Sequence, residues 1–360
     1  MRPKSLSPFE EALESNALGR AVRVILGIAV LLPTTATAQI HSSTARRWIQ
    51  GSWSTDGGLT LPSEQLRRGE LTAVHGQTIY VLDYSDHVLK AFTMRGEPTW
   101  RFGHQGKESG GFSAPTDLEV DSRGRIWICD PLVGRVTIVD QSGRMVRTID
   151  GMTYLWHVIP RSDGRFWGLM VVRAGNDLRN SVRLYDASGV HFKEIPLSAD
   201  LRNVSTVVAS ARLTATPDDG VVVTYLWSDR FAVVDGKSLA VHEYRGLEHR
   251  EFPTFTTQPT AVHVGAQTVS KVRIDTAAVP AALAASVNGD SLYVLFASGP
   301  RETPGTRRIV DVYRVDNGKY IGSYRLPKDV SRFVVHGGRF IGTLEQPEGA
   351  IRIWTWMSKR

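Results

Sequence analysis

The stretch Phe112–Asp130, FSAPTDLEVDSRGRIWICD, determines how the whole chain is interpreted. Two apolar runs, Leu118–Val120 and Ile126–Cys129, flank the turn Asp121-Ser122-Arg123-Gly124, and a third run follows at Arg135–Val139. Short apolar runs that are separated by turns rich in Gly and Asp are typical of antiparallel β-strands. The stretch therefore predicts consecutive strands that are joined by tight turns.

The same order of turn, apolar run, turn and second strand recurs along the chain. Six copies are visible, and their first turns begin at His75, Asp121, Ser162, Pro217, Asn288 and His336. Equivalent residues of the apolar runs are spaced by 47, 40, 56, 70 and 48 positions, and they are Ile79, Ile126, Phe166, Val222, Leu292 and Phe340. Units of about 40 to 50 residues match blades of four strands.

No convincing amphipathic helix separates the copies, because Pro280 interrupts the nearest candidate, Ala277–Ala285. Four strands repeated six times without helices predict an all-β, six-bladed β-propeller over residues 39–360. The approximate blades are 66–102, 110–150, 154–197, 207–245, 281–327 and 330–360, with 47–61 completing the last blade and an insertion at 246–280.

The first two units resemble the NHL-repeat family of β-propellers. Family members typically run F-x-x-P, an apolar strand, D-x-x-G, a second strand that ends in Asp, a short turn, and Arg before a third strand. Residues 112–140 follow this order throughout, and the resemblance covers residues 66–150. Later blades keep the strand rhythm without the Asp and Arg signature, and the first unit has His where the family usually has Arg. The resemblance implies that four residues brace the turns of their own blades: Asp83 with His87, and Asp130 with Arg135.

The last unit has too few residues to complete its own blade. After Phe340 the chain has room for one further strand, Ile351–Trp356, so the outer position of this blade needs another segment. The segment 47–61 precedes the first unit and is apolar enough to pair there, since it contains Trp48, Ile49, Trp53 and Leu59. We expect this N-terminal strand to close the ring, because closure removes the open sheet edges.

The first forty residues have the features of an export signal. Arg20 and Arg23 flank the start of the apolar run Val24–Leu32, and the small residues Ala36-Thr37-Ala38 follow. This order predicts a signal peptide over residues 1–38, with cleavage after its last alanine. We expect the mature chain to be periplasmic or extracellular. The alternative is an uncleaved N-terminal helix that anchors the protein to a membrane.

Composition narrows the classes of protein further. The chain has 360 residues, of which 42% are hydrophobic and 22% charged, values that exclude a coiled coil, a collagen and a polytopic membrane protein. Its single cysteine, Cys129, cannot form an internal disulfide, and we interpret it as a small buried apolar residue. The net charge of +7 is spread along the chain, so we expect mild attraction to anions, no nucleic-acid binding and a monomer.

Ligand-binding candidates lie on the loops that join strands two and three and that join successive blades. In a propeller these loops open on one face, where a rigid ring makes their polar groups converge. Arginine is suited to anions and acidic glycans through its planar donor fork, and solvated loop charge is the alternative. The candidates are Arg173 and Arg179 in blade three, Arg301 and Arg307 in blade five, and His249 and Arg250 in the insertion. The insertion itself is either a lid or partner-docking flap, or structural elaboration.

Two further candidates lie on first strands, which line the channel of a propeller. Aligned on Gly124 and Gly164, Asp117 and His157 fall at the same place in blades two and three, near the channel mouth. They are the best metal or acid/base candidates, and a structural carboxylate and histidine are the alternative. Otherwise the first strands present residues poor in metal ligands, namely Thr72, Ala73, Thr214, Ala215, Ala284, Ala285, Ser331 and Phe333.

A binding or interaction module for an unidentified ligand or protein, with anionic ligands among the candidates, fits these features best. The alternative is a metal-dependent hydrolase or lyase at the channel mouth, because the architecture also serves calcium-dependent lactonases and NHL-type amidoglycolate lyases. No cofactor is expected for the binding module, whereas calcium or zinc would serve the enzyme. The sequence contains no G-x-S-x-G, H-E-x-x-H, phosphate-loop or C-x-x-C motif.

The closing strand gives the first prediction. Deleting residues 39–60 should abolish cooperative folding, because the last blade would lose its outer strand and the ring would keep open edges. Thermal or chemical denaturation followed by circular dichroism measures this. A truncated protein with an unchanged melting transition would contradict ring closure by this segment.

Overall fold

The computed structural model describes residues 46–54, 66, 68–174, 177–197, 210–264, 267–274, 278–300 and 303–358. All the regular elements in these ranges are β-strands. The predicted signal peptide, residues 1–38, lies outside them. Within the described part of the chain, no helix is long and apolar enough to cross a membrane.

The described chain forms six four-stranded antiparallel sheets, the blades. A short N-terminal strand, β1 (Gly51–Ser54), comes before the first three blades in the sequence. Blade 1 consists of β2 (Gly69–His75), β3 (Thr78–Asp83), β4 (Val88–Thr93) and β5 (Pro98–Phe102). A two-residue parallel pair, β6 (His104–Gln105) and β7 (Gly111–Phe112), leads to blade 2. Blade 2 consists of β8 (Asp117–Val120), β9 (Ile126–Asp130), β10 (Arg135–Val139) and β11 (Met145–Asp150). Blade 3 consists of β12 (Leu155–Pro160), β13 (Phe166–Ala174), β14 (Asp177–Tyr185) and β15 (His191–Ile195).

The second half of the chain continues this pattern with one interruption. Blade 4 consists of β16 (Ala211–Ala215), β17 (Val221–Tyr225), β18 (Ser228–Val234) and β19 (Val241–Arg245). A separate two-stranded sheet, β20 (Phe255–Val264) and β21 (Gln267–Ile274), lies between blades 4 and 5 in the sequence. Blade 5 consists of β22 (Ala284–Asn288), β23 (Ser291–Phe296), β24 (Ile309–Arg314) and β25 (Tyr320–Arg325). Blade 6 is built from β26 (Val330–His336), β27 (Arg339–Leu344) and β28 (Ile351–Ser358), with β1 as its fourth strand.

The first strands of the six blades contact one another in cyclic order. β2, β8, β12, β16, β22 and β26 are each beside the next, and β26 is again beside β2. The sheets therefore form a closed six-bladed β-propeller with these six strands around its central channel.

The N-terminal strand closes the ring. β1 pairs antiparallel with β28 along its whole length, with Trp53 opposite Trp356. The Trp53 ring packs against Phe340 with 5.0 Å between ring centroids and against Trp356 with 4.7 Å, and its Nε1 donates to the carbonyl of Arg325 at 2.6 Å. The expected segment thus contains the closing strand, whose paired part is Gly51–Ser54.

The residues just before β1 attach the same segment to blade 5. Trp48 forms an isolated parallel bridge with Ser323 of β25. Arg46 reaches further in, where its Nε and Nη2 donate to the two carboxylate oxygens of Asp311 at 3.0 and 2.9 Å. Its Nη1 also donates to Glu248, at the start of the insertion. The closing segment therefore spans two blades and is held by a buried ion pair.

Bulky apolar residues of the second strands fill the space between blades. Trp127 and Trp167, which the repeat places at equivalent positions, are the largest fully buried side chains. The Trp127 indole N–H donates to Asp121 Oδ2 at 3.1 Å, and that of Trp167 to the carbonyl of Asp219 at 2.8 Å. Because each indole N–H has an acceptor, the rings can be buried without leaving a polar group unpaired.

The Asp of the repeat signature fixes the entry of its own blade in blade 2. Asp130 accepts hydrogen bonds from the backbone N–H of Ser113 at 2.7 Å, of Ala114 at 3.2 Å, and of Val133 at 3.2 Å. Arg135 does not pair with it: its Nη2 donates to the carbonyls of Glu108 and Gly111, at 2.9 and 2.8 Å. Both side chains thus hold the chain that leads into β8.

Blade 1 shares this backbone brace and adds a cation beside the carboxylate. Asp83 accepts from the backbone N–H of Arg68 at 2.9 Å and from Lys90 Nζ at 2.8 Å. His87, the residue expected to partner Asp83, is buried, and burial lowers its pKa against the opposing charge of Asp130. Lys90 therefore takes the position next to Asp83 that the family resemblance had given to His87.

The insertion contains one β-hairpin. Its strands, β20 and β21, pair antiparallel with each other. The register shifts between Gln258 and Ala261, which bracket Pro259. Proline has no N–H to donate, so a strand interrupted by it is hard to predict from alternation alone.

The brace in blade 2 gives a prediction about stability. Asp130→Ala should lower the free energy of unfolding by about 3 kcal/mol, because buried backbone N–H groups lose their acceptor. Urea denaturation measures the change. The control is Asp140→Ala in an exposed turn, where the carboxylate also accepts from two amides, at 2.9 Å from Ser142 and 3.0 Å from Arg144, and where we expect a loss below about 1 kcal/mol. Equal losses in the two variants would contradict the bracing role.

Candidate functional site in the central channel

Side chains on the first strands alternate between the spaces between blades and the central channel. The buried members Leu71, Leu213 and Phe333 belong to interblade core clusters. Their neighbours Glu70, Arg212 and Arg332 are partly exposed. Because successive side chains of a strand point to opposite faces, and these strands are innermost, the charged neighbours are directed toward the channel.

Charged residues from four blades thus share one channel. They are Glu70 on β2, Asp117 and Glu119 on β8, Arg212 on β16 and Arg332 on β26. The pKa of Arg212 is lowered to about 9, chiefly by the charge of Arg332 and then by burial, against the opposite influence of Asp117 and Glu70. Repulsion from Arg332 and burial together thus outweigh the attraction of the nearby carboxylates.

Among the described residues, neither of these arginines has a carboxylate within ion-pair distance. Among the residues that the structure describes, Arg212 and Arg332 form no hydrogen bond and no ion pair within 4.0 Å. Arg161 differs from them, because it is buried and its guanidinium donates to two carbonyl oxygens and to Asp163. Partly exposed, unpaired arginines in a channel are available to a ligand.

The carboxylates of the channel are in different states. The pKa of Glu119 is raised well above its ordinary value by burial and by the charge of Asp117. Glu70 Oε2 lies 3.5 Å from Arg68 Nε. Tyr84, whose hydroxyl donates to the carbonyl of Pro115, also has a raised pKa, because it is buried and the charge of Glu70 adds to that effect. Burial therefore disfavours the ionised form of Glu119, whereas Glu70 lies beside a cation.

Asp117 and His157, which the repeat alignment placed at equivalent points, are in contact. His157 Nδ1 lies 3.2 Å from Asp117 Oδ1, and both side chains are buried. The other oxygen of Asp117 accepts from the backbone N–H of Val158 at 2.8 Å. His157 Nε2 forms no hydrogen bond to the described residues. The approach at Nδ1 lacks hydrogen-bond geometry, so it is a close contact between a carboxylate and an imidazole that does not fix the tautomer.

The structure describes the side chain of only one of the four predicted loop arginines. Arg173 and Arg179 lie on β13 and β14, opposite Leu178 and Val172, and their side chains are outside the described residues, as is all of Arg301. Arg307 is described, and its Nη1 donates to Glu345 Oε1 at 2.6 Å in a largely buried ion pair that joins blades 5 and 6.

The two candidates in the insertion are occupied by contacts within the protein. Arg250 Nη1 donates to the carbonyls of Val279 and Pro280 at 2.9 and 3.0 Å, and its guanidinium lies 4.4 Å from the centre of the Phe296 ring. His249 has a left-handed backbone, with φ of 51°, and its N–H donates to Gly246 at 3.4 Å. These residues shape the start of the insertion.

A metal centre was the other possibility for the channel. Within the described ranges, no group of three or more His, Cys, Asp or Glu side chains is arranged to hold a metal ion. Asp117 and His157 supply two ligands of the kind that zinc binds.

Four channel residues were missed by the sequence analysis, which found the first strands poor in ligands. Glu70, Glu119, Arg212 and Arg332 lie on those strands, one or more positions from the residues taken as channel-facing. Alignment on the turns fixes where a strand ends, but not which alternate face it turns to the channel. The available signal was a charged residue directly flanked by buried apolar ones, as in Ala211-Arg212-Leu213.

Comparison with known proteins supports the fold. No protein-family model matches the chain, and no curated protein matches it. A protein from Bacteroides fragilis described as exported aligns with a TM-score of 0.56 and 10% identity over 86% of this chain and 95% of that one. The WD40 repeats of RRP9 align with a TM-score of 0.53 and 12% identity, over 86% of this chain and 100% of that one. Virginiamycin B lyase from Staphylococcus aureus, in an inactive form with quinupristin, aligns with a TM-score of 0.46 and 12% identity, over 79% of this chain and 80% of that one. At these identities, the two alignments with TM-scores above 0.5 support the β-propeller fold alone.

The raised pKa of Glu119 gives a prediction about pH. A carboxyl whose folded pKa exceeds its unfolded value opposes folding increasingly as pH rises, and the full penalty is present above the folded pKa. Glu119→Gln should therefore unfold at a higher temperature than the wild type at pH 8, and the difference should shrink toward pH 4. Melting curves across this range measure it, with exposed Glu97→Gln as the control. A Glu119→Gln difference that is constant with pH, or negative at pH 8, would contradict it.

Proposed function

We propose that the protein is an exported, NHL-like β-propeller that binds a small ligand or a partner protein through its loop face and central channel. The observation that supports this most is the pair of channel arginines, Arg212 and Arg332, which have no counter-ion among the described residues. Unpaired charge that faces a channel opposes folding, so its presence is best explained by use in binding.

The way in which the ring holds these groups also favours binding. Each charged side chain lies on a first strand that is paired with β-strands of its own blade and packed against the neighbouring blades. Groups held on rigid elements bind with little loss of conformational freedom. A closed propeller therefore presents fixed charges to a ligand that enters the channel.

Assignment to the NHL type rests on the Asp brace. Asp83 and Asp130 occupy the same position at the ends of β3 and β9, and each accepts from the amide of a residue that precedes the first strand of its blade. A repeated side chain with a repeated backbone contact supports the family resemblance in blades 1 and 2. Blades 3 to 6 share the architecture alone.

Export is inferred from residues 1–38 and is compatible with the single cysteine. Cys129 is fully buried, its Sγ donates to the carbonyl of Leu155 at 2.9 Å, and burial raises the pKa of the thiol. A buried thiol with a raised pKa reacts slowly, so an oxidising compartment would leave it intact. In this proposal the exported chain is a monomer that does not bind nucleic acid, and any membrane contact is made through the signal segment.

A second candidate function is a hydrolase or lyase, and the contact between Asp117 and His157 favours it. An imidazole beside a carboxylate can take or give a proton. Calcium or zinc at the channel would be the cofactor of such an enzyme. Metal analysis of the purified protein, together with a panel of lactones and esters tested on wild type and His157→Gln, separates the enzyme from the binding module.

Channel binding is tested by filling the channel without changing its charge. Thr214 lies on β16 on the same face as Arg212, and Thr214→Trp should weaken any channel ligand by about ten-fold or more through steric exclusion. The control is Thr148→Trp on the outer strand β11. Binding is measured by thermal shift with a panel of anionic, neutral and cationic small molecules, and by isothermal calorimetry on each positive compound. Ligands that bind both variants as tightly as the wild type would contradict channel binding.

A further inference from the structure

The two unpaired arginines flank the channel-facing strand with the smallest side chains. Arg212 lies on β16 and Arg332 on β26, and β22 of blade 5 lies between these strands and contacts both. The first residues of β22 are Ala284, Ala285 and Ser286. Ala284 packs in the core cluster with Phe333, and Ser286 Oγ accepts from the backbone N–H of Val335, so the alternation of the strand leaves the short side chain of Ala285 toward the channel between the two arginines.

The nearby carboxylates do not fill this role. Asp117 is already bound to the Val158 amide and lies beside His157, while Glu70 is closest to Arg68. Burial raises the pKa of Glu119 and so disfavours its charged form. Among the described residues, the two positive charges on blades 4 and 6 thus have no carboxylate within ion-pair distance.

We propose that Arg212 and Arg332 together bind the oxyanion group of a small molecule, a carboxylate or a phosphate, in the channel beside β22. This rests on the proposed function and names the ligand class for it. Each guanidinium offers a planar fork of N–H donors that matches two oxygens of such a group. An anion between them would also remove their mutual repulsion, so binding and stabilisation of the fold are coupled.

The second observation behind this site is the contrast with other buried arginines. Arg46 contacts Asp311 and Glu248, and Arg307 contacts Glu345. In both cases the protein supplies the carboxylate. At the channel it supplies none within ion-pair distance of Arg212 or Arg332, which is the arrangement expected where the ligand supplies it.

The test uses the full-length mature chain with inorganic phosphate and citrate as probes. Both anions, or one of them, should raise the melting temperature of the wild type in a saturable manner. Arg212→Gln and Arg332→Gln should each weaken the dissociation constant by about ten-fold to a hundred-fold, since each removes charged hydrogen bonds. Arg144→Gln, whose side chain is 82% exposed, is the matched control and should change it less than about two-fold. Which anion binds distinguishes a carboxylate ligand from a phosphate ligand.

Stability without ligand separates a binding role from a structural one. Arg212→Gln should melt no lower than the wild type in anion-free buffer, because it removes a repelled charge. If a glutamine variant fails to fold, Arg212→Lys and Arg332→Lys keep the charge without the fork and should show a smaller loss of anion affinity. Loss of stability in the glutamine variants together with unchanged anion affinity would overturn the proposal.

The outcome also distinguishes this inference from the broader one. If neutral or cationic compounds bind, are excluded by Thr214→Trp, and neither anion binds, the anion site is wrong and channel binding stands. If no compound in the panel is affected by Thr214→Trp, both are wrong. Anion binding that is lost in the two arginine variants and in Thr214→Trp supports both.

Discussion

The antiparallel pairing of β1 with β28 is the interaction on which the rest of the structure depends. The sixth blade has four strands only because β1, from the other end of the chain, pairs with β28. The Trp53 ring stabilises this pairing by packing against Phe340 and Trp356. Arg46 attaches the same segment to blade 5 through its ion pair with Asp311. Closure keeps six first strands at fixed positions, and the channel exists only because they stay there.

The energetic features of the channel contrast with those of the surrounding ring. Between blades, apolar side chains such as Trp127 and Trp167 are fully buried and their N–H groups are satisfied. In the channel, Arg212 is repelled by Arg332, and burial disfavours the charged form of Glu119. Both features oppose folding. A well-packed ring tolerates such sites, and proteins commonly retain them where function requires it.

Much of the architecture was predictable from the sequence, because turns that contain Gly, Asn or Asp fix the ends of strands. Aligning two turns also placed Asp117 and His157 at equivalent points of neighbouring first strands, and the two side chains are in contact. The arginine pair did not follow. Which face of an innermost strand meets the channel depends on the twist and register of the whole ring, and a charged residue between two apolar ones is equally typical of a solvent-exposed edge. Ion-pair partners distant in sequence, such as Glu345 for Arg307, were likewise out of reach of local patterns.

The central claim is that ring closure creates an anion site between Arg212 and Arg332. The most direct measurement is the anomalous diffraction of a crystal soaked in selenate, a tetrahedral oxyanion with a strong selenium signal. The account predicts an anomalous peak in the channel within hydrogen-bonding distance of both guanidinium groups, next to β22. Peaks confined to exposed arginines such as Arg144, with none in the channel at saturating selenate, would contradict it.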